Sequence, residues 1–96
     1  KFNIEIKNMQ KEIQKNNKQI NKLNDEIAEV QKEIERINKD KLYQTESEQA
    51  ESDSLIADAN STIASKQKQI QELIADTDEI NKRIEMKNRE KTDLGI

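Results

Sequence analysis

Carboxylates are the residues of this chain whose spacing most suggests chemistry. Glu33 and Glu35 flank a single residue, and Asp76, Asp78 and Glu79 fall within one helical turn. Such sets can bind a hard cation or work as a general acid and base. Either use needs a concave, partly dry site that shifts pKa values, and a chain of paired helices offers none. The sequence holds no His, Cys, Trp or Pro, one Gly (Gly95), one Phe (Phe2) and one Tyr (Tyr43). That composition lacks a glycine-rich phosphate loop, a nucleophile with a histidine base, and an aromatic stacking platform. The expectation is a protein that is not an enzyme, with no catalytic residue, no metal, no cofactor and no small-molecule substrate.

The elements that must position these residues follow from composition and period. Charged residues make up 39% of the 96 residues and apolar ones 31%. This is too poor in aromatic and branched side chains for a globular core, and it fits either long helix or disorder. A net charge of −3 and a pI near 5.1 argue against nucleic-acid binding. No apolar run approaches a membrane span, so no membrane insertion is expected. The absence of cysteine leaves the redox compartment open.

Periodicity decides for helix. Ile6, Ile13, Ile20, Ile27 and Ile34 recur every seventh residue. Met9, Asn16, Leu23, Val30 and Ile37 follow each by three, which are the a and d positions of a heptad repeat. The second half repeats the pattern. Its a positions are Ile56, Ile63, Ile70, Thr77 and Ile84, and its d positions are Ala59, Lys66, Leu73, Ile80 and Lys87. The phase slips by one residue between Ile37 and Ile56, where the extrapolated seam is polar: Lys41 or Leu42, Thr45, Gln49 and Ser52. The expected organisation is a single coiled-coil module over 1–96. It has a first arm at 3–43, a turn or weak middle at 44–49, and a second arm at 50–92.

Two architectures accommodate this all-α pattern. One is an antiparallel coiled-coil hairpin folded at the weak middle; the other is one continuous helix in a parallel coiled-coil oligomer. In the hairpin, pairing each residue i with residue 93 − i sets Ile37 on Ile56, Val30 on Ile63, Ile27 on Lys66 and Ile20 on Leu73. It also sets Ile13 on Ile80 and Met9 on Ile84. Asn16, the polar residue of the first seam, then lands opposite Thr77, and a paired buried amide specifies register. The flanking e positions meet mostly as amides, and Glu12 comes near Arg83 as an ion pair. The parallel oligomer would stack Asn16 on Asn16 and Lys66 on Lys66, the second at a loss of stability. A turn near Thr45 to Glu48 lacks the usual Gly, Pro, Asn or Asp. Thr45-Glu46-Ser47-Glu48 nevertheless has the pattern of a capping box that starts a helix.

Between Lys41 and Lys66 there is no basic residue. Glu46, Glu48, Glu51 and Asp53 would form an acidic tip able to dock a basic protein partner, although charge there also serves solubility. Lys7, Lys11, Lys15, Lys18, Lys22, Lys32 and Lys39 lie off the first seam and are expected on the solvated face.

The spaced isoleucines and the run Ile80-Asn81-Lys82-Arg83-Ile84-Glu85-Met86-Lys87-Asn88-Arg89-Glu90-Lys91 resemble the N-terminal coiled-coil region of PcsB/CwlO-type Gram-positive peptidoglycan hydrolases. In that family the coil regulates a separate peptidase domain, so the resemblance implies a regulatory role at a bacterial cell surface or outside the cell. The likeness covers the heptads and the quoted run. It departs from the family in the interrupted core at 38–55 and after Arg89, and no catalytic residue carries over.

Three functional expectations follow. The first is a structural or protein-interaction module of a larger protein, acting as spacer, lever or docking arm. The second is an oligomerising stalk of a surface or phage fibre protein. The third is the regulatory coil of a secreted peptidoglycan hydrolase. Partners are expected to be protein or a second copy of the chain.

Overall fold

In the computed structural model residues 1–95 are described; Ile96, the last residue of the module expected over 1–96, lies outside the described residues. Helix α1 spans Phe2–Lys41 and helix α2 spans Glu46–Asp93. The chain is an all-α protein of two long helices that pack together, as a helical hairpin does. Helix is what this sequence favours locally, being rich in Glu, Lys, Gln, Ile and Ala and free of Pro. The ends complement the helix dipole. Glu5 lies in the first turn of α1, and Glu46 and Glu48 in that of α2. Lys39 and Lys41 close α1, and Lys91 lies in the last turn of α2. After Asp93 the chain leaves the helix at Gly95, whose φ of 72° is the left-handed conformation open to glycine.

α1 stops at Lys41 rather than 43, and α2 begins at Glu46 rather than 50. The early start has a local cause. The Thr45 N–H donates to Glu48 Oε1 at 3.0 Å, and the Glu48 N–H donates to Thr45 Oγ1 at 3.2 Å. This is the reciprocal capping box, and it satisfies N–H groups that a helix start leaves without partners.

The connection between the helices uses no special backbone. Among the described residues none but Gly95 has positive φ. Instead the last turn tightens. The N–H groups of Leu42, Tyr43 and Gln44 donate to the carbonyls of Lys39, Asp40 and Lys41 at 3.3, 3.0 and 3.2 Å, the i→i−3 pattern of a closing 3₁₀ turn. Side chains of α2 complete it. The Gln49 carboxamide donates to the Lys41 carbonyl at 3.0 Å and to the Gln44 carbonyl at 3.3 Å. The Ser52 hydroxyl donates to Gln44 Oε1 at 2.7 Å. The polar middle of the seam is thus the hydrogen-bonding material of the turn.

Contacts divide the chain into two units. One joins Lys1–Asn21 to the segment beginning at Ile70; there Ile80 is 2% exposed and Asn16 is buried. The other is Lys22–Gln69, centred on the buried Leu23 and Ile27, with Ser52 buried near its turn. A side chain of this size gains about 1.5–3 kcal/mol on full burial. Isoleucines of α2 therefore differ sharply in worth, since Ile80 is enclosed while Ile74 is 47% exposed. Ile80→Ala is expected to lower unfolding free energy by about 3 kcal/mol and Ile74→Ala by less than about 1 kcal/mol. Urea unfolding of the two variants measures the difference.

Candidate functional site

Every a and d residue named outside the polar middle is buried or half-buried. In α1 these are Ile6, Met9, Ile13, Asn16, Ile20, Leu23, Ile27, Val30, Ile34 and Ile37. In α2 they are Ile56, Ala59, Ile63, Lys66, Ile70, Leu73, Thr77, Ile80, Ile84 and Lys87. In the polar middle Lys41, Gln49 and Ser52 are buried or half-buried, while Leu42 and Thr45 are exposed. The lysines expected on the solvated face of α1, Lys7 through Lys39, are all exposed.

The polar members of this stripe hold the specific chemistry. Asn16 Nδ2 donates to Thr77 Oγ1 at 3.2 Å and to Asp76 Oδ2 at 2.9 Å. The Thr77 hydroxyl donates in turn to the Leu73 carbonyl at 2.8 Å. Thr77 can therefore accept from Asn16 without leaving its own proton unused. Asp76 was not recognisable as part of this group from its spacing; its position beside Thr77 on the rim of the stripe is the signal that points to it. Among the described residues no buried side-chain nitrogen or oxygen lacks a hydrogen-bond partner.

Lysines in the stripe escape it by length. Lys66 Nζ lies 3.5 Å from Glu26 Oε2, so the stem stays in the seam while the charge reaches the rim. Lys87 Nζ lies 2.9 Å from Glu5 Oε2, 3.8 Å from Glu90 Oε2, and 5.5 Å from the centre of the Phe2 ring. Lys91 Nζ donates to Asn3 Oδ1 at 2.6 Å. Arg83 pairs with Glu79 at 3.1 Å, one turn away on its own helix, and not with Glu12 as the register suggested. A neighbour at i−4 is held beside the guanidinium by the helix itself.

The acidic set near the turn is divided. Glu48 belongs to the capping box, and Asp53 is ion-paired with Lys41. Glu46 and Glu51 are exposed on the first turns of α2. The close carboxylates Glu33 and Glu35, and Asp76, Asp78 and Glu79, do not converge. Among the described residues no group of three or more His, Cys, Asp or Glu side chains could hold a metal ion. A shallow depression of about 290 Å³ lies along one helix face, lined by Asn88, Arg89, Thr92 and Asp93. No helix among the described residues is long and apolar enough to cross a membrane. No family model matches the chain, and comparison with curated proteins and with solved structures finds no match either.

Three groups in the contacts just described have shifted ionisation. The Lys87 ammonium holds the Glu5 carboxyl below the ordinary 4.5, first by its hydrogen bond and then by its charge. The Thr45 N–H, followed by its side chain, lowers Glu48 in the same way. Glu5, again first by hydrogen bond, raises Lys87 above 10.5. For the two carboxyls the folded pKa lies below the unfolded one. Their contribution is therefore complete above 4.5 and is lost as pH falls through the folded values. The Lys87 contribution is complete below 10.5 and is lost as pH rises beyond it. The urea midpoint is expected to fall as pH drops below 4.5, and the double variant Glu5→Gln, Glu48→Gln to show a shallower acid limb. An unchanged acid limb would mean that neither contact persists in solution.

Proposed function

We propose that this chain is a non-catalytic protein-interaction module, an antiparallel coiled-coil hairpin that spaces, levers or docks other domains. The two arms meet with residue i beside residue 93 − i. The observation that carries this reading is the bonding of Asn16 to Thr77 and Asp76 of its own chain. In a heptad seam a lone polar layer specifies register, because any shift sets its amide against hydrocarbon. Other contacts support the same pairing: Glu5 with Lys87 and Asn3 with Lys91 in one unit, and Glu26 with Lys66 and Lys41 with Asp53 in the other. On either side of the turn the stripe of buried and half-buried residues also advances in alternating steps of three and four, as a coiled-coil seam does.

A parallel stalk would use the Asn16 amide against a second Asn16, but here that amide is engaged within the chain. The non-catalytic reading is supported by where the reactive groups lie. The shifted groups Glu5, Glu48 and Lys87 are explained by an ion pair and a helix cap, and the carboxylates sit apart on convex helix faces. A docking role suits the turn, where Glu46 and Glu51 offer negative charge to a basic partner. Regulation of a wall hydrolase, implied by the family resemblance, is one use of such an arm.

The test is a double-mutant cycle. Asn16→Ile and Thr77→Ile, singly and together, are compared by urea unfolding. A coupling energy of about 1 kcal/mol is expected, with the double variant more stable than the two single losses would sum to. Additive effects would remove the layer, and with it the register.

A further inference from the structure

The connection between α1 and α2 is closed by polar bonds alone. Thr45 and Glu48 cap each other, while Gln49 and Ser52 bond back to Lys41 and Gln44. The large apolar side chains of the turn, Leu42 and Tyr43, are 79% and 91% exposed, so no apolar burial holds it shut. Its backbone is also one step from helix. Leu42, Tyr43 and Gln44 already make i→i−3 bonds, Gln49 N–H already bonds to the Thr45 carbonyl at 2.8 Å, and no residue there has positive φ. On straightening, the capped N–H groups of Thr45 and Glu48 would exchange their side-chain partners for the helical carbonyls of Lys41 and Gln44. The buried stripe pauses between Gln44 and Gln49. The one surplus residue that this leaves is what a π-bulge absorbs inside a continuous helix.

We infer that the chain also forms an arm-exchanged dimer, in which the connection straightens and α1 of each copy packs on α2 of the other. The inference rests on the antiparallel pairing proposed above. An antiparallel pairing such as i with 93 − i is symmetric under exchange, so the contacts of Asn16 with Thr77 and of Glu26 with Lys66 re-form twice between the chains. The second copy needs no surface that the single chain lacks. The closed turn sets the balance between the two forms. A short connection gives its arms an effective concentration of millimolar order, so the single chain prevails when dilute and exchange sets in as the protein concentration approaches that level. Short hinges of this kind are where arm exchange is least costly.

Light scattering across a concentration series reads the mass, expected to rise from 11.2 kDa towards twice that value near about 1 mM. Thr45→Ala removes a cap that only the closed turn uses, and each dimer opens two turns, so the loss enters squared. The dimer dissociation constant is expected to fall roughly twenty-fold. Leu42→Asn with Tyr43→Gly supplies turn-forming residues and is expected to hold the chain single. To show which copies supply the arms, a Met9→Cys chain and an Ile84→Cys chain, each spin-labelled, are refolded together. Exchange gives a label separation of about 10–20 Å in that mixture, as for neighbouring helices. A mass fixed at 11.2 kDa in every variant up to about 1 mM overturns the inference. So does a dimer without the short separation, which would associate through outer faces. A chain carrying both labels, diluted in unlabelled chain, separates the two readings. A short separation there, with none in the mixture, sinks exchange alone; a long one with none in the mixture sinks the antiparallel pairing as well, whereas a long one beside a short separation in the mixture is the exchanged dimer.

Discussion

Burial in this protein is confined to one narrow stripe per helix, and everything else adjusts to that constraint. Helices this polar gain little from propensity alone and depend on a partner to cover the apolar line. The line is narrow and alternates in steps of three and four on either side of the turn, with Leu23, Ile27 and Ile80 its most enclosed members. Among the described residues there is no second layer behind it to absorb a misplaced group. A polar residue in the stripe must find its partner within the stripe or at its immediate rim.

The polar residues meet that demand in two ways. Asn16 is short and cannot leave, so Thr77 and Asp76 come to it. Lys66 and Lys87 are long, and carry their charges outward to Glu26 and Glu5. The difference matters energetically. A buried amide without a partner costs about 1–3 kcal/mol, whereas partly exposed ion pairs contribute roughly 0–1 kcal/mol. Loss of a partner at Asn16 would therefore cost more than loss of either lysine pair. Phe2, lying under the Lys87 ammonium, adds an aromatic face to the most elaborate of these contacts.

The connection obeys a different logic. A turn commonly relies on a residue with unusual backbone freedom; this one relies on side chains placed one turn into α2. Thr45 and Glu48 satisfy the start of that helix, and Gln49 takes carbonyls left at the end of α1. The same polar residues that weaken the middle of the seam as packing material are what close the turn. Two of the four acidic residues there, Glu48 and Asp53, already serve the chain itself, which leaves Glu46 and Glu51 as the freer negative charge at the turn.

Contiguous features were legible in the residues alone. Isoleucines at sevenfold spacing mark positions that are buried or half-buried, because helical period is a property of a single segment. The capping box was readable for the same reason, since Thr45 and Glu48 lie in one turn. The exposed lysines of α1 follow from being off that stripe. Contacts between distant segments were another matter. That Asp76 joins Thr77 at Asn16, that Gln49 reaches the Lys41 carbonyl, and that Arg83 takes Glu79 in preference to Glu12 all depend on side-chain reach once two helices lie side by side. The boundaries moved with them: α2 begins at Glu46 because a cap outweighed the polar seam that had suggested a later start. Period and capping are local and are written in neighbouring residues. Which polar partner wins is a competition between geometries, and only the packed helices decide it.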